Sequence, residues 1–315
     1  MLSNPKFKKV LSVSLAIIAI LGIHYLIMNL YIFIAVSVYG AIVGRSGDAE
    51  SWQSFISSQA VIAVIVAGVV ALLLYVMHFN ARKQSLWQIS RFRRFKPIHG
   101  LLGLTAGMSA VFLSGLIVQA VAQIFPGAYE RFLQMVEMLD RSGTIPLVIA
   151  VVIVAPFIEE VMFRGLIFRV LEQKYALLTT VLVQGLLFGA YHMNVIQGAY
   201  AAALGVLLGL SLIWTGSIWI PIIVHFGNNL MSTVLGLEPV AAFIEANEII
   251  AGSLVMVMLL VVFPLSIYGL YRNRVVFAQD QVLIHVFESE EKVETTEEDA
   301  WTRLDEIDKL LDRED

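Results

Sequence analysis

Two glutamates stand side by side in the apolar stretch "APFIEEVMFRG", residues 155–165, with an arginine four residues after the second. A charge inside a membrane costs roughly 2.5–3.5 kcal/mol on insertion scales, so such a group must be paired or do chemistry. On a helix Glu160 and Arg164 are i,i+4 neighbours and face each other. Glu159 points roughly 100° away and is left free. A carboxylate with no ion partner in a low-dielectric site is suited to act as a general base. A second polar group is "FGAYH", where Phe188 and His192 share a helical face. A third is "HFGNN", where His225 and Asn229 share another and place an imidazole and a carboxamide side by side. Peptide hydrolysis needs an activated water and donors aimed at the developing oxyanion. The carboxylate with a histidine suits the first task, and the imidazole with the carboxamide suits the second. Each group alone has an ordinary reading: a charged helix end, a packing histidine, or interhelical hydrogen-bond glue.

The elements that must position these residues are membrane helices. Of 315 residues 58% are apolar and 15% charged, whereas a soluble domain is about half apolar and a quarter charged. The chain therefore reads as all-α, a polytopic helix bundle. Apolar runs of near-spanning length fall at 10–38, 56–79, 100–125, 145–173, 176–195, 198–214, 217–236 and 249–271, giving about eight transmembrane helices. Basic residues gather in alternate loops: Lys6, Lys8 and Lys9; the run from Arg82 to Lys96; Arg169 and Lys174; Arg272 and Arg274. By the positive-inside rule both termini are cytoplasmic. The loop 80–99 interleaves Trp87, Phe92 and Phe95 with bases and reads as an interfacial segment on anionic lipid, or as plain positive-inside charge.

From Glu288 onward there are 13 acids and 4 bases, leaving 17 bases and 12 acids elsewhere. The membrane body is basic and the tail acidic. Trp301, Leu304, Ile307, Leu310 and Leu311 lie at helical spacing in that tail, as in a small docking helix or a solubilising extension. The chain divides into spans 1–3 with their loops (1–144), a core with the last span (145–272), and the acidic cytoplasmic tail (273–315). There is no cysteine, so thiolate chemistry and Cys-ligated metal sites are excluded. No nucleic-acid signature is present; the expected partners are the lipid bilayer and a peptide or protein substrate. Oligomeric state is not legible.

Depth tests whether the polar groups meet. With a pivot at Lys174–Tyr175, Glu159 lies about 15 residues before it and His192 about 17 after, roughly 23–26 Å along each helix. His225 lies only about 9 residues past the turn at 215–217, roughly 14 Å. It joins the others if that turn is sunk below the membrane surface, as in a cavity open to the cytoplasm.

Glu159-Glu160-x-x-x-Arg164, Phe188-x-x-x-His192 and His225-x-x-x-Asn229, in this order and in successive spans, resemble the three motifs of the CPBP (CAAX protease and bacteriocin-processing, or Abi) intramembrane proteases. The likeness covers roughly 145–236. This family is similar to the Ras-converting CAAX endopeptidase, which implies an eight-helix bundle with its site in a membrane cavity. By that resemblance Glu159 and His192 activate the water, His225 and Asn229 stabilise the oxyanion, and Glu160 and Arg164 support the site. The resemblance leaves metal use open, since members have been described both as glutamate-dependent and as metalloproteases. If zinc were used, Glu159, His192 and His225 would be its ligands, consuming the general base and one oxyanion donor. The metal-free assignment is preferred because it leaves every residue a role. A bacterial plasma membrane is the expected location.

Two other function classes compete. A transporter or proton relay also places Glu, His and Arg in spans, but spans 1–3 hold little beyond His24 and His78. A non-catalytic scaffold would not need every motif position intact.

Overall fold

Prolines and capping side chains start many of the helices, and the long apolar runs between them leave the backbone no partner but itself. The computed structural model describes residues 5–43 and 48–275. Among these residues the chain is helical with no strand. The acidic tail with its proposed docking helix and the two chain ends lie outside the described residues.

Helix α1 is Pro5–Val43 and α2 is Ala49–Ala81, capped by the Asp48 side chain, which accepts from Ser51 N–H at 2.7 Å. The two are zipped by Tyr39 stacked on Phe55, by a Tyr31–Gln59 bond at 2.6 Å, and by Tyr75, which donates to the Ile20 carbonyl. A short helix α3, Leu86–Ile89, leads to α4, Pro97–Ile124, which opens on its proline, and to α5, Pro126–Asp140. The span Thr144–Glu172 is α6; Leu177–Tyr191 is α7; Val195–Thr215 is α8. Trp219–Gly236 is α9, Glu238–Ala246 is α10, and Glu248–Arg272 is α11.

Each of the eight apolar runs is a helix, but they are not equivalent as spans. Helices α1, α2, α4, α6, α8 and α11 are long and apolar enough to cross a membrane alone. A seventh span results if α9 is counted with α10, from which it is bent by 71°. Helix α7 has 15 residues, about 22 Å, short of the ~30 Å hydrocarbon core. The apolar run to 195 overstates it. Met193 takes a positive φ of 51° and Asn194 caps α8, accepting from Ile196 and Gln197 N–H at 3.0 Å. That turn ends α7 at His192.

Close helix contacts hold the centre. A Cβ at Gly107 of α4 would lie 1.9 Å from the Val224 carbonyl of α9, and one at Gly189 of α7 would lie 2.3 Å from the Gly198 carbonyl of α8. Without strong hydrophobic drive between helices in lipid, such backbone approach is what packs them. The core lies around α6, with Met162, Phe163, Ile167, Phe188, Leu208, Ile220 and Val224 buried.

Candidate active site

Helix α6 is irregular in two places, and both bear on the site. Residues Val148–Val154 and Val161–Ile167 are wound as π-helix, with one regular stretch, Ala155–Glu160, between them. Wide turns of this kind occur often at functional sites. The first has a covalent cause. Pro156 has no N–H and crowds the preceding turn. Ala155 N–H bonds the Ala150 carbonyl, so the Val151 carbonyl is left without an intrahelical donor. Asn229 of α9 supplies one from its Nδ2 at 2.9 Å. The side-chain oxygen of Asn229 in turn accepts from Asn228 Nδ2 at 3.2 Å. Asn229 is thus fixed at both ends and keeps a second N–H.

The two glutamates lie on the regular stretch and have separate environments. Glu160 is fully buried. Its Oε1 accepts from Arg164 Nη1 at 3.0 Å and from His225 Nδ1 at 2.9 Å. Arg164, also without side-chain exposure, donates from Nη2 to the Gly205 carbonyl at 3.0 Å and lies over the Phe188 ring at 4.5 Å. Gln184 Nε2 donates to that same carbonyl at 2.7 Å. The buried carboxylate is therefore held by two donors, both on Oε1, while its Oε2 is buried without a hydrogen-bond partner. Glu159 keeps 17% of its side-chain surface exposed, and its Oε2 lies 3.9 Å from His225 Nε2. That is beyond a hydrogen bond.

Both histidines have a defined tautomer when neutral. A carbonyl can only accept, so His192 Nδ1, 2.8 Å from the Phe188 carbonyl, carries a hydrogen. The Arg164-paired Glu160 accepts likewise, so His225 Nδ1 carries one too. Each neutral ring then has its lone pair on Nε2. Phe188 joins the two: its ring meets His192 edge-on at 5.0 Å and His225 edge-on at 5.6 Å. The structure gathers Glu159, Glu160, Arg164 and His225 directly, brings in His192 through Phe188, and sets Asn229 against α6 one helical turn from His225.

His225 reaches the glutamates from α9, and Ser217 and Ile218 in the turn before that helix are buried. Gly216 takes the left-handed conformation with φ 66° and ends α8. Ser217 donates to the Arg93 carbonyl at 2.7 Å, and Ile218 N–H to the Arg91 carbonyl at 3.0 Å. The basic loop thus covers this turn, while Arg91 grips Glu172 at 2.7 Å. That cover was not legible in the sequence. Two further residues were also missed. His24 of α1 bonds the Tyr191 hydroxyl, so the first span contributes a polar contact beside His192. The one signal was a lone histidine in an apolar run.

A zinc site needs its ligand atoms about 2.0–2.2 Å from one point. Glu159 and His225 approach each other, but His192 reaches them only through an aromatic ring. Among the described residues no three His, Asp or Glu side chains form a group able to hold a metal ion.

Residues 141–231 match the family described as type II CAAX prenyl endopeptidase Rce1-like. This stretch holds all three motifs, and over it the chain is similar to the CPBP/CAAX proteases. The chain is also 31% identical over 112 residues to "Putative membrane peptidase YdiL" of Bacillus subtilis (strain 168). That alignment covers 35% of this chain and 46% of the relative, so the chain spans under half the length of the curated relative it matches. No solved structure matches. The protein is a multi-pass membrane protein.

Proposed function

We propose that this protein is an intramembrane endopeptidase that hydrolyses peptide bonds of membrane-associated substrates, with Glu159 and His192 activating water and His225 and Asn229 holding the oxyanion. One observation carries the reading. Of two adjacent glutamates, one is locked between Arg164 and His225, and the other is uncommitted and turned toward the same histidine. Structural charge alone would pair both.

In this reading Glu159 takes a proton from water as its oxygen attacks the scissile carbonyl carbon. His192, with its Nε2 lone pair, helps orient that water. The tetrahedral intermediate carries its negative charge on the former carbonyl oxygen. The second N–H of Asn229 and a protonated His225 Nε2 donate to it. The Glu160 carboxylate accepts from His225 Nδ1 and so holds the ring in place for this role. Collapse breaks the C–N bond, and Glu159 returns its proton to the leaving amine. No step is routed through a metal.

The test is cleavage of a quenched-fluorescent peptide library by purified protein in nanodiscs. Wild type should cleave and Glu159→Gln should not, with activity unchanged after exhaustive chelation. Equal rates for wild type and Glu159→Gln would sink the assignment. Activity lost on chelation and restored by zinc would make Glu159 a ligand instead. The bacterial plasma membrane is the location proposed with this function, and lipid and peptide are its proposed partners.

A further inference from the structure

Helix α1 turns one face outward and packs the other, with Ile17, Ile20, Leu21, Ile23 and Ile27, against the bundle. Of its 39 residues only Val13 and His24 are buried. His24 lies about 29 Å along the helix from its start, and its Nδ1 is bonded to the hydroxyl of Tyr191, 167 residues away. Nothing else polar on α1 is buried. In lipid an unpaired imidazole has no water to satisfy it, so this bond ties α1 to Tyr191.

Tyr191 is the last residue of α7, and His192 follows it in the turn. A helix end is the part of a helix least held by its own hydrogen bonds. Here that end carries a proposed catalytic side chain. The Tyr191 ring packs edge-on against Phe163 at 5.5 Å, and Phe163 meets Phe188 at 5.0 Å, the residue whose carbonyl holds His192 Nδ1. The hydroxyl is the one polar handle on this aromatic group, and His24 holds it.

We propose that His24 and Tyr191 are positioning residues: the first span anchors the end of α7 through the Tyr191 hydroxyl and so fixes the His192 ring. The site assembled from 141–231 is then completed by a helix outside that stretch. The proposal rests on the reading of His192 given above, and its test separates the two.

Protein labelled with 15N-histidine gives ring resonances for His192, assigned by their loss in His192→Gln. Tyr191→Phe removes the hydroxyl and keeps the ring; His24→Leu removes its partner; His24→Gln keeps a hydrogen-bonding group there. The His192 resonances should move in Tyr191→Phe and in His24→Leu and stay in place in His24→Gln. On a cleaved peptide the first two should each lower kcat about five- to tenfold, the size of one lost hydrogen bond, with KM held. The double variant Tyr191→Phe/His24→Leu should be no worse than either alone. His192 resonances that stay put in both single variants would overturn the proposal, whatever turnover does. A wild-type protein that cleaves nothing would overturn the function above, and the resonance test would still decide this one.

Discussion

The centre and the rim of this bundle use their residues differently. In α6 and α8 the most apolar window is 39% and 44% buried, against 17% in α1 and 6% in α11. The central helices carry Glu159, Glu160, Arg164, Gln184 and His225, with backbones close enough to touch. The rim helices carry side chains such as Ile18, Leu26 and Ile249, which face outward. Facing lipid, one large aliphatic residue does the work of another. In the centre a side chain must fit, and a charge must be met by its partner. His24 of α1 and Ser266 of α11, which is bonded to Thr105 at 2.8 Å, are rim residues that reach inward.

The sharpest break would come from the proposed water-activating pair. Glu159→Gln and His192→Ala should each lower peptide turnover by about 10²–10⁴-fold, the range for a general acid or base, while the protein keeps its melting transition in detergent. Near-normal turnover of either on a confirmed substrate would leave the centre with no more chemistry than the rim.

Next in size is the buried pair. Glu160→Ala and Arg164→Ala should each cost about 3–5 kcal/mol of stability by stranding a charge, read by thermal or urea unfolding in detergent. The double replacement should be milder than either single one. Losses that simply add would show that the pair does not act as one.

Asn229→Ala should lower kcat by about 10²–10³-fold, as for one oxyanion donor. A change in apparent affinity with constant turnover would instead leave Asn229 as the clamp on the π-helical turn of α6. Asn228→Ala should have a smaller effect, since it acts only through the Asn229 oxygen. At the bottom of the scale, Ile18→Ala, Leu26→Ala and Ile249→Ala should each shift stability by about 0.5 kcal/mol or less and leave turnover alone. A larger loss at Ile18 or Leu26 would mean that α1 is packed against something other than lipid.

The class of fold, the positions of the apolar helices and the identity of the polar groups were legible in the amino-acid order alone. Helical periodicity is local, so the facing of Glu160 and Arg164 follows from a four-residue spacing, and Glu159 is left free by the same geometry. Composition fixed the solvent, because a chain this apolar and this poor in charge has few places to be but a membrane. Tertiary structure decided the rest, because the remaining facts depend on contacts between residues far apart in the chain or on register within a turn. The shortness of α7 comes from a single turn at Met193 and Asn194. The widened start of α6 follows from Pro156, yet the donor that satisfies the Val151 carbonyl comes from Asn229, 78 residues on. His225 shares Glu160 with Arg164, and loop 91–93 covers the turn before α9, through contacts between distant parts of the chain. His24 meets Tyr191 only because α1 packs beside the central helices. No spacing rule encodes such a meeting, since in lipid it is close packing and the hunger of a polar group for a partner that bring the two together.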